Sequence, residues 1–274
     1  MMGGRWFLGL LAGGTILFGL PIARLRNVSV KTKALLNAVS TGVLIFLLVE
    51  MGGHLLESIE DLVMDAVDRR TSLVPALREG GVFALGFSIG LLGLVWFEQR
   101  FLKRAHQEQV PAVRAKQIAM LIAVGLGLHN FTEGLAIGQG YAAGAMQLAW
   151  LLAIGFALHN ATEGFGIAAP LSGHRVSWKF LLWAGVIAGS PTFLGTIVGG
   201  WWTSHATESF CMALASGTIL YIVAELLHLG RQLKEESVVS LGLLTGFFVA
   251  VLTDLVLAAA LHGHGAATAV SRLP

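Results

Sequence analysis

His129-Asn130-Phe131-Thr132-Glu133-Gly134 recurs thirty positions later as His159-Asn160-Ala161-Thr162-Glu163-Gly164. In each copy a His and a carboxylate stand four residues apart, which puts them on one face of a helix. Two such helices facing each other bring His129, Glu133, His159 and Glu163 to one point. Neutral imidazole and carboxylate form a common ligand set for zinc and its divalent neighbours. Both copies lie inside long apolar runs that contain no interior Lys or Arg. A carboxylate at that depth in a bilayer costs at least ~2.5 kcal/mol. A divalent cation held between the copies offsets the cost. The alternatives are carboxylates that stay protonated, or side chains that only hydrogen-bond one helix to another.

The remaining polar members of the phrase admit two roles. Asn130 and Asn160 point about 100° away from the neighbouring imidazoles. Their amide oxygens suit a second ion or a bound water, and their amide groups equally suit interhelical hydrogen bonds. Thr132 and Thr162 are expected to bond back to their own helix backbones.

The elements that position these residues follow from composition. The chain has 274 residues, 12% charged, with a mean hydropathy of +0.75. A soluble domain carries about 25% charged residues. The expected fold class is an all-α polytopic membrane protein, one transmembrane domain over 1–274. Apolar stretches near 6–23, 36–56, 80–98, 117–139, 145–168, 179–202, 210–229 and 238–261 approach the roughly 20 residues that cross a bilayer. Arg5 followed by apolar residues to Leu20 imitates a signal peptide, but no small-x-small site follows, so a retained first helix is expected. Cys211 is the only cysteine, which excludes an intrachain disulfide and a Cys-rich zinc cage. No basic tract with interleaved aromatics points to nucleic acid.

Short connections make antiparallel neighbours, so the 140–144 link runs spans four and five in opposite directions, an arrangement that transporters use for midplane sites. Gly125, Gly127, Gly134, Gly138, Gly155, Gly164 and Gly166 flank the phrases. They suggest that spans four and five pack backbone to backbone.

Charge placement gives an orientation. Arg24, Arg26, Lys31, Lys33, Arg100, Lys103, Arg104, Arg114, Lys116, Arg175, Lys179, Arg231 and Lys234 fall on one face, and only Arg5, Arg69, Arg70, Arg78 and Arg272 on the other. The positive-inside rule puts both termini outside the cytoplasm of a cell membrane. Glu57, Glu60, Asp61, Asp65 and Asp68 crowd the outer end of span two. They read as a solvated helix end or as a cation-concentrating mouth.

Further polar residues interrupt the spans. Glu50, His54 and Glu57 follow i, i+4, i+7 spacing in span two. Glu225 and His228 stand near the inner end of span seven, and Asp254 in span eight. Each suits a relay ligand, a proton acceptor or a structural pair. His262 and His264 are assigned to a terminal tail without a role.

The doubled His-Asn-x-x-Glu-Gly phrase, the span count and the long third loop on the positive face resemble the ZIP family (Zrt-/Irt-like proteins), in its bacterial form. The resemblance implies an eight-span divalent-metal transporter with external termini, likewise a homodimer. By position it makes His129, Glu133, His159 and Glu163 the central transport site, with Asn130 and Asn160 contributing to an adjacent second one. Three departures stand out. Thr132 and Thr162 replace prolines found in many members. Gly189-Ser190-Pro191-Thr192 lacks the span-six Glu of members with two adjacent metals. The third loop has only His106.

The function expected is transport of zinc or a similar divalent cation into the cytoplasm by alternating access. Iron, manganese, cobalt and cadmium accept the same donors. A membrane-embedded metallohydrolase needs an open metal position and a nucleophile–base pair. The second is not evident beside the phrases, and no His-Glu-x-x-His phrase appears. A scaffold binding metal only structurally is the third reading.

Overall fold

The computed structural model describes residues 3–25, 28–68, 70–102, 111–201 and 204–270; residues 3, 101–102, 257 and 260–270 are described by backbone alone. Arg26, Arg69, Lys103, Arg104, His106 and Arg272 lie outside the described residues, as do the side chains of His262 and His264.

Eight principal helices follow the apolar runs. They are α1 (Gly3–Gly14), α2 (Val30–Val67), α3 (Val74–Phe97), α4 (Pro111–Ala142), α5 (Met146–Ala168), α6 (Trp178–Gly199), α7 (His205–Gln232) and α8 (Glu236–Val270). After α1, a short helix and a 3₁₀ turn carry the chain on to Arg24. No strand occurs among the described residues. In lipid, an open strand would leave backbone groups unpaired, whereas a helix satisfies its own.

Local chemistry sets the ends. Ser29 and Ser177 cap α2 and α6, their hydroxyls accepting from the amides of Thr32 at 3.1 Å and Phe180 at 3.2 Å. Gly144, at φ +76°, makes the tight turn between α4 and α5. Two helices overrun the C-terminal ends of their predicted spans by two turns or more. α2 continues to Val67, so Glu57, Glu60, Asp61 and Asp65 extend it as a polar helix, and α8 continues to Val270 in place of the expected tail.

Seven helices among the described residues are long and apolar enough to cross a membrane. α5 is not one of the seven, because its own polar phrase lowers its hydropathy. At 23 residues it still measures about 35 Å, more than a bilayer core. The most deeply buried of the seven is α4, and the least buried are α3 and α8. Leu92, Trp96, Phe248 and Leu252 on α3 and α8 are exposed, as lipid-facing residues should be. The core between them is built on Ile122, Leu126, Ile219, Ile222 and Leu226.

One packing expectation is corrected. α4 and α5 adjoin, but their glycines bring each helix against a different neighbour. A Cβ on Gly134 would stand 2.8 Å from the Thr196 amide nitrogen of α6, and one on Gly195 would stand 3.0 Å from the Leu135 nitrogen of α4. Gly164 of α5 abuts Gly19, in the short helix after α1. Small residues let backbones meet only where the neighbour is also small. The Thr192–Gly195–Thr196 face of α6 offers that to α4. The facing side of α5 carries His159 and Glu163, which hold the two helices a side chain apart.

Candidate metal centre

α4 and α5 run through the repeated phrase as continuous helices. At the two positions where the resemblance implies proline, Thr132 and Thr162 donate their hydroxyls to the carbonyls of His129 and His159, each at 2.7 Å. Each threonine keeps the backbone N–H that a proline would lack, so the helix ladder runs on unbroken here.

That continuity aims four side chains at one point. Glu133 Oε1 lies 3.2 Å from His129 Nε2 and in close contact with His159 Nε2. Glu163 Oε1 is 3.6 Å from His129 Nε2. The ligand atoms of His129, Glu133 and His159 all fall within 4.8 Å of one another. The two imidazoles stack with centroids 6.5 Å apart, and Phe156 packs edge-on against His159 at 5.4 Å. His129, Glu133 and Glu163 are almost wholly buried, whereas 14% of the His159 side chain stays accessible.

The hydrogen-bond ledger around the centre does not close. Both ring nitrogens of His129, both carboxylate oxygens of Glu163 and the Oδ1 atoms of Asn130 and Asn160 are buried without a hydrogen-bond partner. Buried polar groups are rarely left so, and each unsatisfied one costs about 1–3 kcal/mol. Of these, the Glu163 oxygens and the His129 Nε2 beside them are lone-pair donors that one cation next to Glu133 would satisfy together. The amide nitrogens are occupied. Asn130 Nδ2 donates to the Ala188 carbonyl of α6 at 3.0 Å. Asn160 Nδ2 donates to the Ala12 carbonyl at 3.1 Å and to Glu133 Oε2 at 3.3 Å. Both amides thus make the interhelical bonds that were one of their two expected roles. α6 brings no carboxylate: Ser190 is exposed, and its neighbour Thr192 is buried.

A cavity of about 150 Å³ opens onto the centre from one side. Glu50 and His54 line it together with His129 and Glu133. So do Glu208, Cys211 and Met212 of α7, none of which the sequence singled out as a wall of the site. Their common signal is one-turn spacing from the N-terminus of α7, a pattern shared by any helix end. Glu57 is exposed and does not line this cavity, and neither does Glu225; His228 is exposed and pairs with Gln232 at 2.8 Å. Asp254 of α8 lies within electrostatic reach of Glu50. On the other side of the centre α2 is tied down. Lys33, Asn37 and Ser40 donate to the carbonyls of Ser172, Leu226 and Thr162 at 3.0, 2.9 and 2.8 Å.

Bilayer-length apolar helices around a buried His/carboxylate centre define a polytopic membrane protein with a place for a divalent cation inside the membrane. The family profile described as ZIP zinc transporter matches residues 68–254, more than half of the chain and both copies of the phrase. The chain belongs to that family and transports zinc or a similar divalent metal cation across a membrane. The match supports no hydrolase reading. No curated protein matches the chain.

Proposed function

We propose that His129, Glu133, His159 and Glu163 are the transport site, at which zinc sheds water and is held midway across a single transmembrane domain. The observation that carries this is the convergence of the His129, Glu133 and His159 ligand atoms within 4.8 Å of one another, beside the buried and unpartnered carboxylate of Glu163. Glu50 and His54 lead the cation in through the open cavity. Asn130 and Asn160 flank the site, each with an amide oxygen free for an adjacent ion or water. On the far side, Glu225 and His228 are the exit ligands on α7.

Alternating access then requires two changes. The cavity beside Glu50 and His54 closes, and the three hydrogen bonds from α2 to the backbones of α5, of α7 and of the link after α5 open. Rocking of one helix group against another achieves both. The positive-inside bias orients the cavity outward, both termini outside the cytoplasm, and makes the direction uptake. Zinc is the leading cargo, and iron, manganese, cobalt and cadmium meet the same donors. The functional unit is a homodimer, on family resemblance.

X-ray absorption on protein carrying one equivalent of zinc tests the site. The expected first shell is nitrogen and oxygen only, at roughly 2.0–2.2 Å with imidazole scattering. Sulfur at about 2.3 Å, or no imidazole contribution, would move the metal elsewhere, Met51, Cys211 and Met212 being sulfurs that line the cavity.

A further inference from the structure

Glu79 plays no part in the centre described above. It stands on α3, is 8% exposed, and its Oε1 is buried without a hydrogen-bond partner among the described residues. Across from it is His205, the first residue of α7, with Nδ1 3.7 Å from that oxygen. The separation is too long for a hydrogen bond. It is close to the about 3.4 Å that separates two donors sharing one tetrahedral zinc. The imidazole is 73% exposed, so a hydrated ion can reach it.

Shared walls join this pair to the centre. Glu79 and His205 line one cavity. His205 also lines the next, with His54 and Glu208. His54 and Glu208 in turn line the cavity that reaches His129 and Glu133. We infer that Glu79 and His205 form an outer cation station, where a hydrated divalent metal first exchanges water for protein ligands before passing along Glu208 and His54. The inference rests on the transport reading but uses none of its ligands.

The station holds metal loosely. It supplies two protein ligands, with water filling the remaining positions. The positive end of the α7 dipole and the exposed Arg78 at the same cavity both oppose a cation. Loose holding is what a transfer point requires, since an ion must leave as readily as it enters.

Two measurements with zinc test it. Uptake into liposomes by Glu79→Gln and His205→Gln is expected to need roughly three- to tenfold more zinc for half-maximal rate, with the maximal rate little changed. The His205 change alters an exposed side chain, so it keeps the test open if Glu79→Gln fails to fold. Calorimetric zinc titration of His129→Ala/Glu133→Ala protein removes the centre and is expected to retain a weak binding event. Adding His205→Gln to that background abolishes it. An unchanged uptake curve for both single variants, or no weak event in the double variant, overturns the station. A variant that loses thermal stability but keeps its uptake curve also overturns it, reducing the pair to a structural contact. If the tight centre proves absent from the intact protein while the weak event persists, it is the transport site that fails and the station that stands.

Discussion

Asn160 Nδ2 reaches both the Ala12 carbonyl and Glu133 Oε2, so it pins the one carboxylate that touches both imidazoles. A partner that steadies a ligand typically affects metal affinity 10–100-fold when removed. Asn160→Ala is therefore expected to weaken zinc binding by about 10-fold or more, measured by competition with a chromophoric chelator; unchanged affinity would deny the role. Binding also needs neutral imidazole and ionised carboxylate, so zinc must displace whatever protons these groups hold. Titration in weak buffer is expected to release protons, and affinity to fall as pH falls. Proton uptake on binding, or tighter binding in acid, would contradict the assignment. Much of this was legible in the sequence, because two His-x-x-x-Glu pairs in apolar runs have few physical solutions. Glu79, His205 and Glu208 were not legible. Each stands near a helix end, where polar side chains are ordinary, and only the packing of α3 on α7 brings them to one row of cavities.

The helices themselves were readable from hydropathy, and their partners were not. Glycine abundance around the phrases suggests a close α4–α5 contact, yet close approach depends on what the facing helix presents. Gly134 and Gly138 meet the small face of α6, where Thr192, Gly195 and Gly199 stand. That contact makes α6 the backing against which α4 holds His129 and Glu133. Gly134→Ala is expected to force the two backbones apart and cost about 1–3 kcal/mol, read as a lower melting temperature of the purified protein. Gly93→Ala, with nothing within 4 Å of the added methyl, is the control and leaves the melt unchanged or slightly raised. Equal melts for the two variants would refute the contact. The continuity of α4 and α5 at Thr132 and Thr162 belongs to the same scale. Without proline, the α4 and α5 backbones do not break at the proposed ligands, so the proposed alternation relies on movements between helices.

For the molecule as a whole, the two sides of the centre differ. One holds a chain of cavities from the ends of α3 and α7 down to His129 and Glu133. The other holds α2 to α5, to α7 and to the link after α5 by hydrogen bonds from Ser40, Asn37 and Lys33. Such an asymmetry suits a transporter caught open toward one face. The central claim is that the cation crosses by way of the paired His/Glu centre. Radioactive zinc uptake into liposomes carrying the wild-type protein, His129→Ala or Glu163→Ala tests it most directly. The wild type is expected to accumulate zinc and both variants to fall to the level of empty liposomes. Undiminished uptake by the two variants would show that the metal takes another route.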